Sequence, residues 1–133
     1  MLRIMKPLSN QEFGALGERF AAGYLRKIGY KILEKNYKTD LGEIDLIAED
    51  RGELVFVEVK TRTPDPYLSG SYAVDRKKQY HIMRSAVTYM QRCPGLQPRF
   101  DIIELELDRS SGRLTDINHI KNAFWQNEDY ARF

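Results

Sequence analysis

The stretch LVFVEVKTR, residues 54–62, ends an apolar run with two ionisable side chains, Glu58 and Lys60. Side chains alternate across a β-strand, so one face carries Phe56, Glu58 and Lys60, and the other face carries the valines between them. Both faces are largely apolar, which predicts a central strand covered on both sides of its sheet. A carboxylate in such a place loses hydration, and its charge is costly unless a partner compensates it.

Two amphipathic helices flank this stretch in the chain. SNQE, residues 9–12, is a capping-box sequence, and the apolar spacing after it predicts a helix over about residues 10–28. A second helix is predicted over about residues 75–92, with Asp75 as its N-cap. Its expected apolar stripe consists of Tyr80, Met83, Ala86, Val87 and Met90.

Strand patterns precede and follow the central stretch. Short-period alternation predicts strands at residues 30–38, 42–50, 53–62 and 99–107, and a short last strand at 114–120. The second and third strands are joined most simply by a hairpin around Arg51–Gly52, and two prolines and a glycine mark residues 63–71 as a loop. This order of helices and strands predicts a mixed α/β fold.

Length and composition define the class of protein. The chain has 133 residues, 42% hydrophobic and 30% charged, which is typical of one globular domain over 1–133. Residues 1–8 and about 126–133 are expected to be frayed ends. The single Cys93 excludes an intrachain disulfide and a multi-cysteine zinc site, and we expect a cytoplasmic protein. No apolar run approaches the length of a membrane span, so no membrane partner is expected, and the net charge of +2 alone indicates no partner.

The strand before the central stretch adds a second carboxylate. Asp45 is flanked by Ile44 and Leu46, and pairing of the two strands would bring Asp45 close to Glu58 at one end of the sheet. Two close carboxylates repel each other, which raises a pKa, and a divalent cation is one natural partner for such a pair. Mg²⁺ prefers one or two carboxylates together with water and phosphate oxygens. The pattern indicates phosphodiester hydrolysis, in which the metal lowers the pKa of a bound water.

Other groups complete this hypothetical site. Lys60 lies on the face of Glu58, where it would orient the attacking water or neutralise developing negative charge. The backbone carbonyl of Val59 is a candidate further metal ligand. Glu18 lies at the border of the apolar stripe of the first helix and would approach the metal through water or hold a second ion. We assign Glu43 to the strand face opposite Asp45 and expect it to lie outside the site.

Basic residues gather at the start of the second helix. DRKKQ places Arg76, Lys77 and Lys78 in its first turn, and Arg62 leaves the central strand nearby in sequence. The free N–H groups of a helix start favour phosphate, so we expect these residues to contact the DNA backbone. The alternative for them is an ordinary solvated helix face. Gln79 begins the apolar stripe and is expected to point inward.

Residues 14–62, from GALGERF to FVEVKTR, resemble the YraN family of bacterial proteins, which are similar to archaeal Holliday junction resolvases. These proteins resemble members of the restriction-endonuclease-like superfamily, whose motif is an acid, a spacer and then Asp/Glu-x-Lys. Asp45 matches the first acid, Glu58 the second acid and Lys60 the lysine. Glu18, inside GERFA, matches the helical glutamate of the resolvase-like branch.

The resemblance implies a restriction-endonuclease-like mixed β-sheet flanked by helices, dependence on Mg²⁺ or Mn²⁺, and a DNA substrate, branched or duplex. It also implies a supporting role for Gln79, products with a 5′-phosphate and a 3′-hydroxyl, and a homodimer that makes two symmetric cuts. The loop YLSGSY, residues 67–72, or the aromatic tail KNAFWQNEDYARF, residues 121–133, would form the dimer interface.

Three alternatives to these assignments stay open. In the first alternative, the chain is a non-catalytic nucleic-acid or partner-binding module on the same fold. Glu58 and Lys60 would form an ordinary ion pair at a strand end, and Glu18 would be a solvated helix residue. His81 and His119 show no metal-ligand spacing and no pairing with a nucleophile, so we assign them no role.

Overall fold

The computed structural model describes residues 6–64 and 75–124. Within these residues the chain forms two helices, α1 (Asn10–Lys27) and α2 (Arg76–Met90). It also forms five strands, which are β1 (Lys31–Thr39), β2 (Gly42–Asp50), β3 (Glu53–Arg62), β4 (Gln97–Leu107) and β5 (Leu114–Ile120). The predicted elements are confirmed in kind and order. Most of the predicted loop at 63–71, the YLSGSY segment and the expected frayed end at 126–133 lie outside the described residues.

The strands form one mixed sheet in the order β1-β2-β3-β4-β5. Strands β3 and β4 are parallel and are connected through α2, whereas the other neighbouring pairs are antiparallel. The α1 helix packs Ala21, Ala22 and Leu25 against the sheet face that carries the β3 valines. On the other face, α2 packs against Phe56. Strand β3 is therefore central and covered on both faces, which confirms the predicted α/β class.

Two local signals in the sequence have the predicted conformation. The Ser9 hydroxyl accepts a hydrogen bond from the Glu12 N–H at 3.1 Å, and the Glu12 carboxylate accepts one from the Ser9 N–H at 3.0 Å. This capping box satisfies two N–H groups at the start of α1. Arg51 and Gly52 turn the β2–β3 hairpin with φ of 50° and 83°. Positive φ at both turn residues matches the right-handed twist of the strands.

The buried face of α2 differs from the predicted apolar stripe. Tyr80 and Val87 are 44% and 36% exposed, so both lie outside the core. Polar Ser85 is buried on the sheet side of the helix, and its hydroxyl is satisfied there by the Thr39 hydroxyl of β1 at 2.7 Å. The buried residues of α2 are Ile82, Met83, Ser85, Ala86 and Tyr89. The helix also ends at Met90, two residues before the predicted end.

No helix of the described residues is long and apolar enough to cross a bilayer.

A close approach at Gly17 fixes α1 against the end of β3. A Cβ atom added at Gly17 would collide with Oγ1 of Thr61 on β3, so only glycine allows this spacing. Glu18 follows directly in the helix and lines a cavity together with Val59 and Lys60. The contact therefore positions one acidic side chain beside the end of the central strand.

We expect Gly17→Ala to lower the free energy of unfolding by about 1–3 kcal/mol, because the new methyl group overpacks the contact with Thr61. Gly23→Ala is the matched control on the same helix, since a Cβ there meets nothing within 4 Å. That control should raise the free energy of unfolding by about 0.5–1 kcal/mol through helix propensity. Urea denaturation followed by circular dichroism measures both changes, and equal effects of the two variants would contradict the close approach.

Candidate active site

The β2–β3 backbone pairing ends beside the predicted acids. The pairing runs from Asp50–Glu53 to Leu46–Val57, and the next residue on each strand is Asp45 or Glu58. Beyond the last pair, the Asp45 carboxylate accepts a hydrogen bond from the Val59 N–H at 2.8 Å. The Asp45 side chain therefore continues the hydrogen bonding between β2 and β3 beyond the last backbone pair. The predicted pairing of the two strands brings these acids to the same end of the sheet.

Three acidic side chains converge at this end of the sheet. Carboxylate oxygens of Glu18, Glu43 and Asp45 all lie within 4.8 Å of one another. Glu18, which was predicted to be a site residue, lies beside Asp45. The expectation that Glu43 lies outside was wrong, because residues two apart in a strand share a face and Glu43 therefore lies on the face of Asp45.

Asn36 on β1 closes this group of acids. It lies between Lys35 and Tyr37, which pair with Leu46 and Ile44 on either side of Asp45, and it has a φ of 51° in the left-handed region that asparagine tolerates. With its side-chain nitrogen facing the acids, Asn36 donates to Glu43 Oε1 at 2.6 Å and to Glu18 Oε2 at 3.0 Å. Asn36 was not among the predicted site residues. A single asparagine within a predicted strand gives no indication that its side chain binds acids from other segments.

Crowding raises the pKa of two of these acids. Burial and the nearby Glu58 carboxylate raise the pKa of Asp45 to about 7, and Glu18 adds to the increase. The Val59 N–H and the Lys78 ammonium act against this increase. Burial and the Glu43 carboxylate likewise raise the pKa of Glu18. A carboxyl group whose charge is disfavoured in this way suits a site that receives a cation.

Glu58 lies in a different environment from this acidic cluster. Its side chain is 4% exposed, and its Oε1 lies 3.0 Å from Lys60 Nζ and 2.5 Å from Lys78 Nζ. The ion pair considered for Glu58 and Lys60 is therefore present, and Lys78 extends it. Lys78, which was predicted to contact DNA from the first turn of α2, thus also contacts a residue of the predicted site. Glu58 is not among the three acids that lie within 4.8 Å of one another.

The remaining residues predicted to contact DNA occupy two positions. Arg76 and Lys77 are exposed in the first turn of α2, and Gln79 is half-buried beside them. Arg62 is at the end of β3, where its guanidinium lies 3.9 Å from Glu104 and the side chain is 32% exposed. Arg62, Lys60 and Val59 line one cavity of about 490 Å³. The structure thus brings Arg62 close to the site and leaves the start of α2 open to solvent.

A second group of charged residues lies on the α1 face of β4 and was missed by the sequence analysis. Arg99 Nε donates to Asp101 Oδ1 at 2.9 Å, and Asp101 Oδ2 lies 2.7 Å from His119 Nε2. The Nδ1 of His119, which was assigned no role, lies 3.0 Å from the Tyr24 hydroxyl. Burial raises the pKa of Asp101, but hydrogen bonds from His119 and Arg99 outweigh it, and the pKa is lowered. The only signal was an arginine and an aspartate two residues apart within an apolar strand pattern.

We expect metal-free protein to lose stability as the pH rises, because burial and neighbouring carboxylates disfavour the charged form of Asp45. Its folded pKa of about 7 lies above its usual value, so between about pH 4 and pH 7 the folded state binds more protons than the unfolded state. The stability that goes with this proton is present at low pH and is lost as the pH rises through 7. Asp45→Asn keeps an oxygen acceptor for the Val59 N–H and removes the charge.

In EDTA, Asp45→Asn should therefore raise the free energy of unfolding by about 2 kcal/mol more at pH 8 than at pH 5. Urea denaturation at the two pH values measures the difference. Asp116→Asn, which removes an exposed carboxylate on β5, is the control and should show no such dependence. If Asp45→Asn changed the free energy of unfolding equally at both pH values, the pKa of Asp45 would not be raised in the folded protein.

Comparison with known proteins identifies the family. The model of the "Uncharacterised protein family UPF0102" matches residues 17–105. A UPF0102 protein of Caldanaerobacter subterraneus subsp. tengcongensis is 49% identical over 122 residues, which are 90% of this chain and 100% of the relative. UPF0102 proteins of Syntrophomonas wolfei and Geobacter metallireducens are 42% and 43% identical, over 86% and 88% of this chain and 99% and 95% of theirs. The chain therefore belongs to the UPF0102 family, which is the YraN family expected from the sequence.

Proposed function

We propose that this protein is a divalent-metal-dependent DNA endonuclease of the restriction-endonuclease-like superfamily, acting on branched or duplex DNA. One observation carries the proposal. The carboxylates of Glu18, Glu43 and Asp45 lie within 4.8 Å of one another, at the sheet end where Lys60 is paired with Glu58. Several acids and one lysine at the end of two central strands match the acid, spacer and Glu-x-Lys pattern of that superfamily.

The residues present fit a hard divalent cation. Carboxylate and carbonyl oxygens are the ligands that Mg²⁺ and Mn²⁺ prefer. The raised pKa values of Asp45 and Glu18 reflect burial and mutual repulsion, which a cation would relieve. Asp45, Glu18 and Glu58 would hold the ion with the Val59 carbonyl, and Glu43 joins this set through its position in the acidic cluster. When bound, the ion would stabilise negative charge on the phosphoryl oxygens and lower the pKa of a bound water.

The side chains of the protein would perform the other tasks of hydrolysis. Glu58 fixes the ammonium groups of Lys60 and Lys78, so positive charge is positioned before the substrate arrives. Lys60 would orient the attacking water or neutralise the charge that develops on the phosphoryl group. Water attacks the phosphorus, the bond to the 3′-oxygen breaks, and the 3′-oxygen takes a proton. The products are a 5′-phosphate and a 3′-hydroxyl.

Exposed basic residues would supply affinity for the DNA backbone. Arg76 and Lys77 project from the first turn of α2, and Arg62 lines the cavity next to Lys60. Contacts of this kind read phosphates rather than bases and weaken as the salt concentration rises. Gln79 would support the site from the same helix turn. We further propose a homodimer, because two symmetric cuts in a branched substrate need two sites.

A non-catalytic nucleic-acid or partner-binding module is the second candidate function. The two lysine contacts of Glu58 favour it, because they satisfy the buried carboxylate without a metal ion. The crowded acids at Glu18, Glu43 and Asp45 favour the endonuclease. A binding module would gain nothing from keeping such carboxylates close together.

The direct test incubates the purified protein with a labelled four-way junction and a linear duplex, in Mn²⁺ and in EDTA. We expect cleavage in Mn²⁺ only. Asp45→Asn and Lys60→Ala should each lower the cleavage rate by at least about 100-fold, since the first removes a ligand of the proposed ion and the second removes a positive charge beside the reacting phosphate. Lys31→Ala, which removes an exposed lysine at the start of β1, should cleave like the parent.

Thermal unfolding should show that the site variants are folded, and parallel purification of all variants controls for contaminating nucleases. Cleavage by Asp45→Asn or Lys60→Ala at the rate of the parent would refute the assigned roles. Binding of the junction without cleavage in any metal would refute the endonuclease and favour the binding module.

A further inference from the structure

Two cavities flank the first turns of α1 and share three residues. The first, of about 490 Å³, opens toward the end of β3, and the second, of about 450 Å³, opens toward β1 and β2. Both are lined by Asn10, Gly14 and Glu18. Residues four apart lie on one face of a helix, so the cavities meet along this face. We call the two cavities together the α1 groove. One member of the acidic cluster, Glu18, lines the α1 groove on both sides.

Gly14 leaves the middle of the α1 groove open. A Cβ atom added at Gly14 meets nothing within 4 Å, so no packing contact requires a glycine there. Glycine in a helix interior is less stable than alanine, because it loses more backbone freedom on folding. The missing side chain costs stability and leaves room at the helix surface. Such a position suits a ligand that crosses the helix close to its backbone.

Arg109, in the β4–β5 connection, lines the first cavity of the α1 groove and is held rigidly there. Its Nη1 donates to the Leu8 carbonyl at 3.1 Å and to Asn10 Oδ1 at 2.8 Å. Its guanidinium carbon lies 4.3 Å from the centroid of the Phe13 ring. These partners are neutral, and among residues 6–64 and 75–124 no ion pair joins Arg109 to a carboxylate within 4.0 Å. Both hydrogen bonds use Nη1 of Arg109. With respect to the described residues, its Nε and Nη2 donors remain available to a ligand.

The charges along the α1 groove favour a polyanion in its first cavity. That cavity is lined by the acid Glu18 and by three cations, of which Lys60 is paired with Glu58 and Arg62 with Glu104 and Glu106. Among the described residues, Arg109 adds a positive charge that no carboxylate pairs. A planar guanidinium with two unused donor positions matches the oxygens of a phosphate group. Since Lys60 lines the same cavity, a phosphate at Arg109 and a phosphate at the proposed reaction site would belong to one continuous strand.

We propose that the α1 groove is the path of a phosphodiester strand and that Arg109 is a positioning residue for a backbone phosphate flanking the cleavage point. The strand crosses α1 at Gly14, where the absent side chain allows contact with the helix backbone. The inference rests on the proposed function, because it names how the nucleic acid reaches that site. It assigns binding roles to Gly14 and Arg109, two residues that the motif does not include.

The first test blocks the α1 groove without disturbing the core. Gly14→Leu places a side chain in the groove, and Gly23→Leu is the matched control, since a Cβ at Gly23 also meets nothing within 4 Å. Both changes favour the helix, so both variants should fold at least as stably as the parent. Binding is measured by fluorescence anisotropy of a fluorescein-labelled four-way junction in Ca²⁺. Gly14→Leu should raise Kd at least about tenfold, and Gly23→Leu should leave it unchanged.

The second test removes the proposed phosphate contact. Arg109→Gln should raise Kd about tenfold and reduce the slope of log Kd against log salt concentration by about one. Arg109→Lys should restore the slope, because it keeps the charge, but only part of the affinity, because it lacks the planar fork. Arg113→Gln, an exposed arginine of the same connection that lines neither cavity, is the control and should change neither quantity. A merely structural role of Arg109 would not change the salt slope.

The outcomes separate this inference from the proposed function. If the parent protein binds the junction and folded Gly14→Leu and Arg109→Gln bind it with the same Kd and salt slope, the groove assignment is wrong and the endonuclease is unaffected. If the parent binds without cutting in any metal and both variants lose binding, the groove assignment holds and the endonuclease fails. If the parent does not bind the junction, both are overturned.

Discussion

Charges at the end of β3 must be compensated locally, because helices cover both faces of the sheet there. Glu58 meets this requirement through two ammonium groups, those of Lys60 and Lys78. Asp45 meets it only in part, through a hydrogen bond from the Val59 N–H and the nearby Lys78 ammonium, which do not outweigh burial and the neighbouring carboxylates. Glu18 and Glu43 add further negative charge beside Asp45 instead of neutralising it. The uncompensated negative charge at this end of the sheet is the physical basis of the proposed metal site.

A second buried acid in the same sheet shows what full compensation looks like. Asp101 is completely buried on β4, yet hydrogen bonds from His119, Arg99 and the Asn122 N–H outweigh burial and lower its pKa. Asp45, which is less buried, has its pKa raised to about 7. Burial disfavours charge at both residues, so the difference lies in their partners. The Asp101 network is complete without a ligand, whereas the acids around Asp45 have an arrangement that a cation would complete.

Sequence patterns predicted the parts of this site that lie on regular elements. Strand alternation placed Glu58 and Lys60 on one face of a central strand, and helix spacing placed Glu18 at the edge of the buried face of α1. The error at Glu43 was avoidable, since strand alternation itself puts residues 43 and 45 on the same face. Lys78 was found as a basic residue, but its contact with Glu58 depends on how α2 packs across β3, which its local sequence does not determine.

The buried face of α2 and the position of Arg109 depend on contacts between segments that are distant in sequence, and local sequence patterns do not predict such contacts. The predicted stripe of α2 was right for Met83, Ala86 and Met90 and wrong for Tyr80 and Val87, which are exposed. Ser85 lies on the buried face because Thr39 of β1 satisfies its hydroxyl. Arg109 reaches the α1 groove because the β4–β5 connection folds back onto Leu8 and Asn10. Contacts between residues about a hundred apart in sequence, such as Arg109 and Asn10, depend on the tertiary structure and cannot be read from periodicity. The fold class and the acids on regular elements were therefore predictable, whereas the groove was not.

Diffraction from a crystal soaked in Mn²⁺, recorded where manganese scatters anomalously, would locate a metal ion at these acids. We expect an anomalous peak within coordination distance, roughly 2–2.4 Å, of a carboxylate oxygen of Asp45, with Glu18 or Glu58 as a further ligand. The same soak of Asp45→Asn crystals should give no peak at that position. Well-ordered crystals of the parent protein that show no manganese at these acids, with Lys60 and Lys78 still paired to Glu58, would contradict the account.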